Sequence, residues 1–133
     1  MTDTVQMWYN DIKQNERNDP MNIQIFGTKK SQDTRKAERF FKERRIKFQS
    51  VDLAEKGLSK RELESVIRAA GPLETLLDEK CKDQEALTLI KYLSEGDRFA
   101  RVLEDPTVLR QPIVRNGQQA TVGYQPEIWK KWE

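Results

Sequence analysis

The chain has 133 residues, 36% of them hydrophobic and 35% charged, with a net charge of +2. That is enough for one domain with a core, and no apolar run approaches the length that spans a bilayer. A single cysteine, Cys81, and the lack of any histidine exclude an internal disulfide, a Cys/His zinc site and any Ser-His or Cys-His catalytic pair.

Residues 1–20 form a polar extension ending in Asn18-Asp19-Pro20. Val5, Trp8 and Ile12 recur at helical spacing, which predicts either a short amphipathic docking or dimerising helix or a loosely ordered arm. The N-terminus lacks the apolar core of a secretory signal, which points to the cytoplasm. A first strand is expected over 22–26. A helix follows from near Ser31 to about Arg44, with Ala37, Phe40 and Phe41 inward. Residues 46–51 alternate polar and apolar as a second strand. Ser59 and Glu62 form a capping box that opens a second helix. Leu63, Val66, Ile67 and Ala70 are its apolar stripe, and Gly71-Pro72 stops it. A short helical piece is expected at 73–77. Another helix runs from about Asp83 to Leu93, with Leu87, Ile90 and Leu93 in register. Gly96 is expected to break it, ahead of a last short helix over 98–103. Asp105-Pro106 marks a turn. Pro112 to Arg115 is strand-like, Asn116-Gly117 signals a hairpin, and 120–123 returns antiparallel. Gln125-Pro126-Glu127 opens a final helix carrying Ile128, Trp129 and Trp132.

Charge is uneven along this order. Residues 29–47 hold nine bases (Lys29, Lys30, Arg35, Lys36, Arg39, Lys42, Arg44, Arg45, Lys47) against three acids (Asp33, Glu38, Glu43). A solvated helix face explains them, and so does a surface for an acidic partner. No aromatic residue interleaves with them on an exposed face, so direct nucleic-acid binding is not expected. No membrane contact and no metal site are expected either.

The order β-α-β, helices, β-β, α predicts an α/β protein of thioredoxin-like, three-layer design. Its mixed four-stranded sheet would carry a helical insertion at about 59–104. Residues 21–133 make one domain. The segment Phe26-Gly27-Thr28-Lys29-Lys30-Ser31-Gln32-Asp33-Thr34-Arg35-Lys36-Ala37 joins the first strand to the first helix. With Gln111-Pro112-Ile113-Val114 and Gly123-Tyr124-Gln125-Pro126-Glu127, it resembles the arsenate reductase (ArsC)-like family that also contains the Spx regulators.

The resemblance implies a redox cysteine at the position of Ser31. In Spx-type members it implies a second at Thr34. It also implies a cis proline at Pro112, facing the nucleophile loop. Arsenate reductases hold their oxyanion with arginines at positions matching Gln111, Tyr124 and a place near Asp78, and none is arginine here. A thiol at a helix N-terminus ionises readily, whereas a serine hydroxyl needs a base. Asp33 is the nearest candidate in sequence. Ser31 therefore has three readings. It is a helix N-cap. It belongs to a ligand or anion loop built from Thr28, Lys29, Lys30, Ser31, Thr34 and Arg35, with Gln111, Pro112 and Tyr124 opposite. Or it replaces a natural cysteine. Cys81, between Lys80 and Lys82, is expected to have a modestly lowered pKa and an incidental role.

Two functions follow. The first is a non-catalytic binding or regulatory protein without a cofactor. Its partner, by analogy with Spx, would be the C-terminal domain of the RNA polymerase α subunit. The second is a glutathione- or thioredoxin-linked thiol oxidoreductase whose cysteine is replaced by Ser31. Oligomeric state is open, and a structural role through the N-terminal arm and Trp129/Trp132 is a third option.

Overall fold

In the computed structural model, which describes residues 21–132, the chain enters its sheet at β1 (Ile23–Gly27). The helix expected at Val5, Trp8 and Ile12 lies outside the described residues. Ile23 and Ile25 face one side of β1 and Phe26 the other, the two-residue alternation of a strand. All three are buried, so β1 is covered on both faces. Residues 28–31 lead into α1 (Gln32–Glu43), which buries Ala37, Phe40 and Phe41 as expected. The Ile46 N–H still bonds the Phe41 carbonyl at 2.9 Å, and Arg45 turns with a left-handed φ of 60°. That helix exit delays β2 (Phe48–Asp52) beyond the start its alternation suggests. β2 is parallel to β1.

The insertion begins with α2 (Lys60–Ala70). Ser59 Oγ accepts from the Glu62 N–H at 3.1 Å, and Glu62 Oε1 accepts from the Ser59 N–H at 2.8 Å. This is the expected capping box. Next come α3 (Leu73–Leu76), α4 (Gln84–Tyr92) and α5 (Glu95–Glu104). Gly96 does not break a helix. The chain breaks at Leu93, where ψ is 157°, and Gly96 lies in the first turn of α5 behind its N-cap, Ser94. Arg98 makes that corner. Its guanidinium donates to the carbonyls of Ile90 (3.2 Å) and Leu93 (3.1 Å) and pairs with Glu74. The last carbonyls of α4 thereby gain donors that the helix cannot supply. A 3₁₀ turn (Pro106–Val108) follows, and a Leu77–Leu109 bridge closes the insertion before the chain re-enters the sheet.

β3 (Ile113–Asn116) is antiparallel to β1, and β4 (Gln119–Val122) is antiparallel to β3, giving the order β2-β1-β3-β4. The hairpin turn is Gly117-Gln118, one residue later than the Asn116-Gly117 signal. Asn116 instead closes the ladder opposite Gln119, and its Oδ1 accepts from the Asn22 N–H at 3.2 Å. Of the two turn residues only Gly117 has a positive φ, 63°, which is the type II′ pattern. α6 (Pro126–Lys130) ends the fold. Its Trp129 is buried against Phe40 and Phe41, and the indole N–H donates to Thr121 Oγ1 at 2.7 Å. Ile128 beside it is exposed.

One core joins Ile23, Ile25 and Val114 to α1 and Trp129. The other joins Phe26, Ile113 and Val122 to the insertion helices. Helices therefore cover both faces of a mixed four-stranded sheet. This is the three-layer, thioredoxin-like α/β fold. No helix among the described residues is long and apolar enough to cross a membrane.

Candidate functional site

The loop after β1 is organised by Ser31. Its backbone is extended (φ −76°, ψ 119°), and its Oγ accepts from the Thr34 N–H at 3.2 Å. That is an N-cap, which satisfies one of the donors a helix start leaves unpaired. Asp33, the one carboxylate near it in sequence, instead faces Lys36 at 4.0 Å, and both side chains are more than half exposed. Among the described residues no base accepts a hydrogen bond from the Ser31 hydroxyl. Nothing there prepares it as a nucleophile.

Thr34 is buried against the end of β1, and its Oγ1 has no hydrogen-bond partner among the described residues. A Cβ added to Gly27 would lie 2.2 Å from that oxygen. Glycine at 27 is what lets α1 start this close to the strand.

The Gln111–Pro112 peptide is cis, as the resemblance implies. Gln111 Oε1 accepts from the Thr28 N–H at 2.7 Å and from the Thr28 hydroxyl at 3.0 Å. The residue before the proline is thus tied to the loop before α1. Tyr124 lies on the α1/α6 side. Its ring meets Trp129 edge-on at 5.6 Å, and Lys36 Nζ lies 5.8 Å from its centroid. One cation escapes position-by-position matching. Arg110 precedes Gln111 by one residue, yet its guanidinium lies over Gly123, 3.1 Å from where a Cβ there would sit. Its one signal in the sequence is alternation with the buried Leu109.

The nominated loop residues divide. Thr28, Lys29, Thr34 and Arg35 line a hollow of about 370 Å³ on the β2 side, closed by Glu38 and Asp52. Tyr124 lines a different groove, between α1 and α6. Ser31, Lys30, Gln111 and Pro112 line neither. Cys81 belongs to the insertion core, and the expectation for its thiol is reversed. Burial, and then the charge of Asp78, push its pKa up rather than down. The flanking lysines do not decide it. Among the described residues no cluster of three or more His, Cys, Asp or Glu could hold a metal ion.

This is a thioredoxin-like domain with hydroxyl side chains at Ser31 and Thr34 in its β1–α1 segment. The chain belongs to the ArsC family, whose profile matches residues 26–132. Its fold is similar to that of an arsenate reductase from Vibrio cholerae (TM-score 0.72, 23% identity, 85% of this chain and 98% of that one). It is also similar to a protein from Bacteroides fragilis described as related to the ArsC family (TM-score 0.75, 18% identity, 86% and 100%). An arsenate reductase (ArsC) related protein from Brucella melitensis aligns over 86% of this chain and 97% of its own (TM-score 0.57, 20% identity). These identities speak for the fold. No curated protein matches the sequence.

Proposed function

We propose that the chain, as written, is a non-catalytic binding or regulatory member of the ArsC family. The observation that carries this is Ser31. The residue at what the resemblance implies is the nucleophile position uses its side-chain oxygen to cap α1, and among the described residues no base attends its hydroxyl. The positions where the family resemblance implies oxyanion-binding arginines support the same reading. Gln111 is occupied with Thr28, and Tyr124 packs on Trp129. A cytoplasmic setting fits. The Spx resemblance nominates a partner, the C-terminal domain of the RNA polymerase α subunit. A reductase assay coupled to glutathione or thioredoxin, with arsenate or a small disulfide as substrate, tests the central claim. The unaltered chain is expected to give no turnover. Turnover above a heat-denatured control sinks the reading.

A second reading is favoured by one observation, the cis Gln111–Pro112 bond tied to the Ser31 loop through Thr28. It holds that the scaffold is a thiol oxidoreductase using glutathione or thioredoxin, with Ser31 standing in for cysteine. The Ser31→Cys variant decides. A thiol there would sit at the N-terminus of α1, where helix N–H groups favour the thiolate. Gain of turnover by that variant alone supports this second reading.

A further inference from the structure

α1 and α6 leave a groove of about 480 Å³ between them. Four cations line it, Lys36, Arg39, Arg44 and Lys130, against two acids, Glu43 and Glu127. A hollow of about 250 Å³ on the outer face of α1 shares Lys36 and Arg39 with it and adds Arg35. The charge is available. The side chains of Arg35 and Arg39 make no hydrogen bond or ion pair among the described residues. Lys36 and Lys130 pair with exposed carboxylates, Asp33 at 4.0 Å and Glu127 at 3.4 Å, pairs of little strength, and Lys36 also lies 5.8 Å from the Tyr124 ring centroid.

The groove also has an aromatic side. Tyr124 is 42% exposed, and the buried Trp129 holds its ring edge-on. A half-exposed aromatic fixed from behind, with Lys36 over its ring, is the kind of anchor on which interfaces concentrate their energy. The two acids decide between polyanions. A continuous phosphate backbone would run against Glu43 and Glu127. A peptide can alternate its charges with apolar residues and avoid them.

We propose that this groove docks an acidic segment of a partner protein. Its carboxylates would meet Lys36 and Arg39, and one of its aromatic or aliphatic side chains would rest on Tyr124. The proposal rests on the binding-protein reading above. It places the contact on the face opposite the helical insertion.

Fluorescence anisotropy on the full chain tests it, with a labelled peptide of repeated Glu-Glu-Tyr as probe. Saturable binding is expected, weakening as salt rises. Charge reversal by Lys36→Glu with Arg39→Glu should weaken it by about tenfold or more. Tyr124→Ala should weaken it by about fivefold or more. Circular dichroism establishes that each variant is folded, and Arg39→Glu alone serves if the double variant is not. No saturable binding, or binding unchanged by both substitutions, overturns the proposal. So does tighter binding of oligo(dT) through the same residues, which would make the face a nucleic-acid surface. Displacement of the probe by a peptide of residues 1–20 overturns it as well, because the occupant would then be the chain's own extension. Failure here is separable from failure of the parent reading, which is decided by reductase turnover and not by peptide binding.

Discussion

Gln111 Oε1 accepts two hydrogen bonds from Thr28, one from its backbone N–H and one from its hydroxyl. The contact joins residues 83 positions apart and links the cis-proline segment to the loop that opens α1. Arginine, which the resemblance implies for position 111, carries only donors and could not accept from Thr28. The glutamine suits a loop held in place rather than one that clamps an oxyanion.

Gln111→Leu should therefore cost about 1–2 kcal/mol, because the Thr28 N–H loses its acceptor in a half-buried site. Urea unfolding measures it. An unchanged midpoint would mean that the contact does not hold the loop. Gln111→Glu, which keeps an acceptor at the same place, should recover most of the loss.

Gly27 and Thr34 should behave as a coupled pair. Gly27→Ala drives a methyl into the Thr34 side chain and should cost about 1–3 kcal/mol. Thr34→Ala in that background should restore part of it, so the double-mutant cycle closes with a coupling above about 0.5 kcal/mol. Strictly additive effects would place the two apart. Thr34→Val alone removes a buried hydroxyl that has no partner, and it should be neutral or mildly stabilising.

The parts of the fold that are legible in sequence are those carried by local rules. The Ser59/Glu62 box, the inward face of Ala37, Phe40 and Phe41, and the strand-turn-strand at 113–122 follow from spacing and capping chemistry. The elements that differ are decided by distant partners. Gly96 reads as a break in sequence, whereas Arg98 sets the corner by binding the end of α4. The hairpin turn shifts because Asn116 is held by Asn22, just before β1. The Cys81 thiol differs because burial in the insertion core, which its local sequence does not reveal, and then the nearby Asp78 outweigh the flanking lysines. At the candidate site, Ser31 as an N-cap is readable from its position. The Gln111–Thr28 bonds, the Thr34–Gly27 contact and the place of Arg110 are not, because each needs the tertiary fold.

Trp129 should be a strong stability determinant. It is fully buried against Phe40 and Phe41, and its indole N–H is the donor to the buried Thr121 hydroxyl. Trp129→Phe removes that donor and part of the ring. A loss of about 2–4 kcal/mol is expected from the cavity and the unpaired hydroxyl together. Adding Thr121→Val should recover part of it. A drop below about 1 kcal/mol for Trp129→Phe would show that the α1/α6 layer repacks freely.

Cys81 gives the protein an alkaline weakness. Its thiol lies in the insertion core and donates to the Asp83 carbonyl at 3.6 Å. Burial, with Asp78 adding to it, raises its pKa in the folded state. The sign follows from proton counting. Above the unfolded-state thiol pKa, about 8.5, the unfolded chain has lost this proton while the folded chain still holds it. The unfolded state then binds fewer protons, and stability falls as pH rises. Below that pH the group contributes no slope. Urea unfolding from pH 7 to about 10, on the chain and on Cys81→Ala, isolates the effect, because other alkaline titrations are common to both. The stability advantage of the cysteine chain should shrink across the upper half of the range. A constant difference at every pH would show that the thiol titrates alike in both states. Thiol labelling offers an independent check, with slow reaction of the folded chain at pH 8 and fast reaction in denaturant.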